Sequence, residues 1–254
     1  MQRHSIYNYY FFGTCLRYLQ DAQEGHSIHR EGCIFENIDT FLSYLGVIGL
    51  PVTERVSREL DNFRTDLSEA DKDSFLSKEQ AKTLQELMKK IRVTLEAELE
   101  GVEAFTTTPK RIDIQKLLDD VPNLFSPKVF NALPEIAQYD LSEGGKCIAF
   151  ERATAAAFHI LRGTEAVLRH FYNSLIRRSR VKSLNWGPIV QDLRKHRKTD
   201  KYITLINHLD NIRHSFRNPT AHPESIYDIH EVQDLWGVCA DVINRMIKIL
   251  NTLT

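Results

Sequence analysis

No run in this chain is long and apolar enough to span a bilayer. The N-terminus, Met1-Gln2-Arg3-His4 leading into Tyr9-Tyr10-Phe11-Phe12, has no signal-peptide core and no cleavage site. These absences point to a cytoplasmic protein with no membrane partner. Cysteine is sparse: four in 254 residues, Cys15, Cys33, Cys147 and Cys239, far apart and without a CxxC pair. In that compartment they are expected as buried thiols, not bridges. Metal ligands are equally thin. His26, His29 and Cys33 lie near one another in sequence, but no fourth ligand is close, and Cys15 would have to fold back. No metal and no cofactor are expected.

Net charge is almost absent too, at −1, yet it is unevenly spread. From Gly144 onward there are 17 lysines and arginines against 10 aspartates and glutamates (+7), leaving 16 against 24 (−8) before it. A basic C-terminal part suits a polyanionic partner such as RNA. Attraction between the two halves would serve the same asymmetry.

What the chain does contain is helical periodicity, and no strand pattern competes with it in the C-terminal half. Tyr7–Gln20 reads as a short helix and Asn37–Leu50 as a second, with Ile38, Phe41, Leu42 and Leu45 on one side. Another opens at Pro51 to Thr53. A long one follows from Ser77 to about Phe105, started by the capping-box form Ser77-Lys78-Glu79-Gln80. Nothing in these helices makes a chemical constellation, and they are expected to serve as scaffold, dimer arm or partner surface. Thr106–Pro109 breaks the pattern. Pro122, Pro127 and Pro134 then punctuate short turns, and Leu141-Ser142-Glu143-Gly144-Gly145 closes that stretch. The expected domains are 1–140, helical and of unknown role, and 141–254, with the residues from Lys110 onward able to pack on the second.

The second domain reads as four helices. The first is expected to run unbroken from Lys146 to Ile176, with a seam of Phe150, Thr154, Ala157, Leu161, Thr164, Leu168, Phe171 and Leu175. The second starts at Asn185–Pro188, the third covers Asp200–Arg217, and the fourth is capped within Ser225–Asp228. Short connections between four amphipathic helices predict an antiparallel bundle. The whole protein is therefore expected to be all-α.

Between helices three and four lies Arg217-Asn218-Pro219-Thr220-Ala221-His222. Pro219 is expected to stop the helix and to push Asn218 out of the α region. The resulting loop would bring Arg217 and His222 together. A guanidinium fork and an imidazole suit a phosphodiester: one holds phosphate oxygens, the other moves a proton near neutral pH. Arg217 could equally make a salt bridge to Glu165 or Asp210, His222 could merely pack, and Asn218 could make an Asx turn. Arg213, one turn earlier, is expected to aim the same way as Arg217. His159, Arg162, Ala166 and Arg169 share a face that could line an RNA groove, with Glu165 orienting Arg162 or Arg217. Basic runs at Arg177–Lys182 and Arg194–Lys198 would add affinity for the phosphate backbone. Tyr202 and Trp186 could stack a base, with core packing the better expectation for Trp186.

The segment Cys147 to Arg162 (CIAFERATAAAFHILR), then Glu165, together with the Arg217–His222 stretch, resembles the HEPN (higher eukaryotes and prokaryotes nucleotide-binding) domain family over about Lys146–Leu253. The resemblance implies a metal-independent endoribonuclease, a toxin or defence effector. In such enzymes the RNA 2′-hydroxyl attacks the neighbouring phosphate at a composite site between two subunits. It makes Arg217, Asn218 and His222 the catalytic candidates, with Arg213, Arg162, Glu165 and His159 binding substrate. It also implies RNA and a second copy as partners, with an antidote or regulatory protein as a further one. Other family members only bind RNA or nucleotides, and that is the alternative, beside an all-helical interaction protein. A toxin subfamily carries a modifiable tyrosine two residues after the histidine. Here that position is Glu224, and the nearest tyrosine is Tyr227.

Overall fold

A computed structural model describes residues 5–30, 32–176, 181–221 and 225–253. Among them the fold is all-α, and the only extended pairing is an isolated antiparallel bridge between Ser27 and Phe75. Among the described residues no helix is long and apolar enough to cross a membrane. The chain forms two compact units, Met1–Phe105 and Thr106–Thr254.

The first unit holds α1 (Ile6–Gln20), α2 (Ile34–Ile48), α3 (Pro51–Val56), α4 (Arg58–Ser68) and α5 (Lys78–Leu99). Its core draws Phe12, Cys15 and Leu19 from α1, and Ile34, Ile38, Phe41 and Leu45 from α2. Phe12 stacks on Phe41 with centroids 4.7 Å apart. Helix ends follow local chemistry. Ser77 and Gln80 form the expected capping box on α5. Gly49 ends α2 at φ 76°, a left-handed conformation that costs glycine little. Pro51 opens α3, and Leu50 offers no side-chain cap. Glu98 of α5 does that work, accepting from Val52 N (3.0 Å), Thr53 N (2.8 Å) and Thr53 Oγ1 (2.7 Å). The histidines and cysteine weighed for a metal are otherwise engaged: His29 Nε2 lies 2.9 Å from Leu67 O, and Cys33 Sγ caps α2. Among the described residues no three metal-capable side chains cluster.

The second unit holds α6 (Ile114–Asp119), two short 3-10 turns, α7 (Glu135–Ala149), α8 (Ala153–Leu175), α9 (Trp186–Lys195), α10 (Ile203–Ile212), the single helical turn α11 (Asn218–Thr220) and α12 (Ile229–Asn251). Helix α8 is central and packs on α7, α9 and α12. The expected boundary at 140/141 is corrected, because it would fall inside α7. Leu117, Val121, Phe125, Val129, Phe130, Leu133 and Ala137 are buried in the same core as α8 and α12. Gln233 of α12 further ties this segment down by accepting from the backbone N–H groups of Arg111 and Ile112. Each fully buried Leu, Ile or Phe of this kind contributes about 1.5–3 kcal/mol, so the segment belongs with the C-terminal unit.

The single long helix expected from Lys146 is also corrected. The chain turns at Phe150-Glu151-Arg152, with Glu151 at φ 59°, so α7 and α8 form a helical hairpin. Gly144 and Gly145 lie inside α7 and close nothing. A Cβ on Gly145 would sit 2.7 Å from Leu117 O, and one on Gly144 3.1 Å from Ile160 Cγ1. A Cβ on Gly163 of α8 would sit 3.2 Å from Asp140 Cβ. The glycines permit backbone approach that alanine would block. Thr164, Leu168 and Phe171 are buried as expected, while Thr154 is only partly so. Cys15, Cys33 and Cys239 are buried free thiols and Cys147 is half-buried. Burial pushes the Cys239 thiol up to about 12.

Candidate active site

Pro219 does not break the chain as expected. Arg213–Arg217 form a π turn between α10 and α11, and Asn218 keeps right-handed helical dihedrals (φ −67°, ψ −49°). The physical reason lies in the hydrogen-bond ladder. A proline has no N–H to give and crowds the carbonyl four residues back. The wider turn lets Asn218 N–H reach Arg213 O, five residues back, so the helix continues through the proline. The turn's end is then pinned. Thr220 Oγ1 donates to Phe216 O at 2.7 Å, Tyr227 Oη donates to the same carbonyl at 3.1 Å, and the two hydroxyls lie 2.7 Å apart. Tyr227 N donates to Thr154 Oγ1 of α8 at 3.2 Å. His222, Pro223 and Glu224 lie outside the described residues, so the expected Arg217–His222 pair has one described member.

That member faces a cleft of about 380 Å³, lined by Phe158, His159, Leu161, Arg162 and Glu165 of α8 with Arg217, Thr220 and Ala221. This lies within the roughly 300–1,000 Å³ of small-ligand sites. His159, Arg162 and Glu165 step by three along one helix face, which brings their side chains to one wall. Glu165 is nearly buried, its side chain 12% exposed. Its Oε2 lies 3.4 Å from Arg217 Nε, and its Oε1 accepts from Arg169 at 2.8 Å. Glu165 therefore orients Arg217, one of its two expected partners, and the Glu165 salt bridge weighed for Arg217 is present.

Arg162 is held elsewhere. Asp140 of α7, wholly buried, accepts from Arg162 Nε at 2.7 Å and Nη2 at 2.5 Å, and its Oδ1 lies 3.0 Å from His159 Nδ1. The hydrogen bond to Asp140 holds the Arg162 guanidinium even more firmly protonated than usual. A buried carboxylate is tolerable only when paired in this way. Asp140 was not a sequence candidate. Its signal was latent: a lone aspartate set among Ala137, Leu141 and Gly144 on the buried face of α7, opposite Gly163. Phe158 was missed as well. It is 55% exposed on the cleft wall, where a core phenylalanine has no reason to be.

Other candidates fall away from the cleft. Arg213 turns to Asp210 (2.8 Å) and packs over Gly187, so it does not aim with Arg217. The inserted π residue changes the facing of the two arginines. Asn218 starts α11 and does not line the cleft. Trp186 is core, its Nε1 donating to Leu209 O at 3.0 Å. Tyr202 lies under Lys201 Nζ, 4.9 Å from the ring centroid. In the basic run, Arg194 pairs with Asp210 at 2.9 Å and His196 with Asp192 at 3.2 Å. Arg177, Arg178 and Arg180 lie outside the described residues.

Arg162 and Arg217 line the cleft and pair with Asp140 and Glu165, and Arg169 also pairs with Glu165. The arrangement can hold an anion and offers an imidazole beside it. No family model, no curated protein and no solved structure matches this chain significantly.

Proposed function

We propose that this chain is a cytoplasmic, metal-independent endoribonuclease of HEPN type, a toxin or defence effector working as a homodimer, and that an antidote or regulatory protein restrains it. The observation that carries the reading is the Arg217 guanidinium, propped by Glu165 on the wall of a cleft that also presents His159 and Arg162. Arg217 binds the scissile phosphate and offsets the charge that builds up as the 2′-hydroxyl attacks. His222, five positions further on in sequence, exchanges a proton in that step.

The test is incubation of the purified chain with RNA in EDTA. Cleavage leaving 2′,3′-cyclic phosphate ends is expected, and His222→Ala should abolish it. Persistence of the activity in that variant, or dependence on a divalent ion, removes the proposal. A non-catalytic RNA-binding module is the second reading, favoured by Phe158 exposed beside the arginines. It stands if RNA binds and is never cut. An all-helical interaction protein is the third, favoured by the internal pairing of Arg162 and Arg217 with Asp140 and Glu165. It stands if no RNA binds.

A further inference from the structure

Cleavage of RNA by its own 2′-hydroxyl moves two protons. A base takes one from the 2′-oxygen as that oxygen bonds to phosphorus. An acid gives one to the 5′-oxygen as the P–O5′ bond breaks, leaving a 2′,3′-cyclic phosphate and a 5′-hydroxyl. One imidazole cannot serve both roles in the same step. Beside the His222 that each subunit would bring to a composite site, the cleft contains another imidazole, tied to a buried carboxylate.

We infer that His159 is the general base of this reaction, held in its working tautomer by Asp140, with Arg162 fixing Asp140 in turn. This rests on the ribonuclease reading above. The geometry is that of a carboxylate–imidazole dyad. Asp140 is fully buried, and an ionised carboxylate can only accept. The bond of 3.0 Å to His159 Nδ1 therefore places the proton on Nδ1 and leaves Nε2 as the acceptor. The His159 side chain is 28% exposed on the cleft wall, so it is accessible without being loose. Asp140 is itself held at both oxygens by Arg162. The charged groups facing His159 are Asp140 from α7, Arg162 and Glu165 from α8, and Arg217 from beyond the π turn. Nothing in this arrangement is needed for packing alone, since an apolar side chain would fill the position of Asp140 against Gly163 at lower desolvation cost.

The test compares His159→Gln with the unaltered chain on two RNA substrates, one ordinary and one carrying sulfur in place of the scissile 5′-oxygen. A thiolate leaves without a proton, so the sulfur substrate needs a base but no acid. His159→Gln is expected to cut both substrates about 10²–10⁴-fold more slowly, with RNA affinity unchanged and the acidic limb of the pH–rate profile lost. His222→Ala is expected to recover on the sulfur substrate, as the loss of an acid should. Cleavage by His159→Gln at the normal rate overturns the assignment, as does recovery on the sulfur substrate or a loss of rate that only tracks a loss of affinity. Absence of any cleavage by the unaltered chain overturns the ribonuclease reading, and the base assignment with it.

Discussion

Phe158 belongs to neither the apolar seam nor the basic face expected on this stretch, yet it is 55% exposed and lines the cleft. A solvent-facing ring beside guanidinium groups is a stacking platform, and stacking one base is worth about 1–3 kcal/mol. Phe158→Ala is therefore expected to weaken binding of single-stranded RNA roughly 5–150-fold while leaving the cleavage ends unchanged, as titration by fluorescence anisotropy would show. Asp228 gives a second test at this scale. Hydrogen bonds from the Glu231 and His230 backbone amides hold its carboxylate below the ordinary value of 3.8. Its contribution to stability is thus complete above that value and is lost as the pH falls through the lower folded one. Asparagine caps a helix without titrating. Any stability advantage of the native chain over Asp228→Asn should be complete above 3.8 and shrink as the pH falls below it, through the lower folded value, in thermal melts. An advantage that is constant with pH would disprove it.

At the level of helices, the α7–α8 hairpin decides the site. Asp140 reaches His159 and Arg162 only because the glycines let the two backbones close up. Gly145→Ala places a methyl group 2.7 Å from a carbonyl of α6 that cannot swing away, and is expected to cost about 1–3 kcal/mol. Gly237→Ala on α12 meets nothing within 4 Å and should instead stabilise by about 0.5–1 kcal/mol. Urea denaturation of the two variants checks both signs. The hairpin itself was not legible in the sequence. Phe150-Glu151-Arg152 contains no proline or glycine, so the period of 3.6 ran straight through it. At Pro219 the error went the other way, because a π turn absorbed a residue that local rules treat as a breaker.

For the molecule as a whole, the units divide after Phe105, and the core of the second unit is closed by residues from Leu117 onward. A fragment 106–254 is expected to fold, with a helical circular-dichroism spectrum and one cooperative transition. A fragment 141–254 lacks the start of α7, Glu135 to Asp140, and the buried side chains at 117–137, and should fail to give one. Equal behaviour of the two fragments would contradict the division. The basic character of the C-terminal part is blunted locally, since Arg194, Arg213 and Arg217 all have carboxylate partners. The salt dependence of RNA binding should therefore be shallower than the count of basic residues suggests.

Periodicity and capping chemistry alone determined the helical class, the apolar faces, the cap at Ser77 and a capped start to the last helix within Ser225–Asp228, because these depend on residues within a turn or two of one another. Only the tertiary structure decided that Asp140 meets His159 and Arg162, that Glu165 props Arg217 while Arg213 turns away, and, of the two placements open for the residues from Lys110, that they join the second core. Those outcomes depend on where backbones without side chains can touch and on which buried charge finds a partner, and both are set by contacts between segments far apart in the chain.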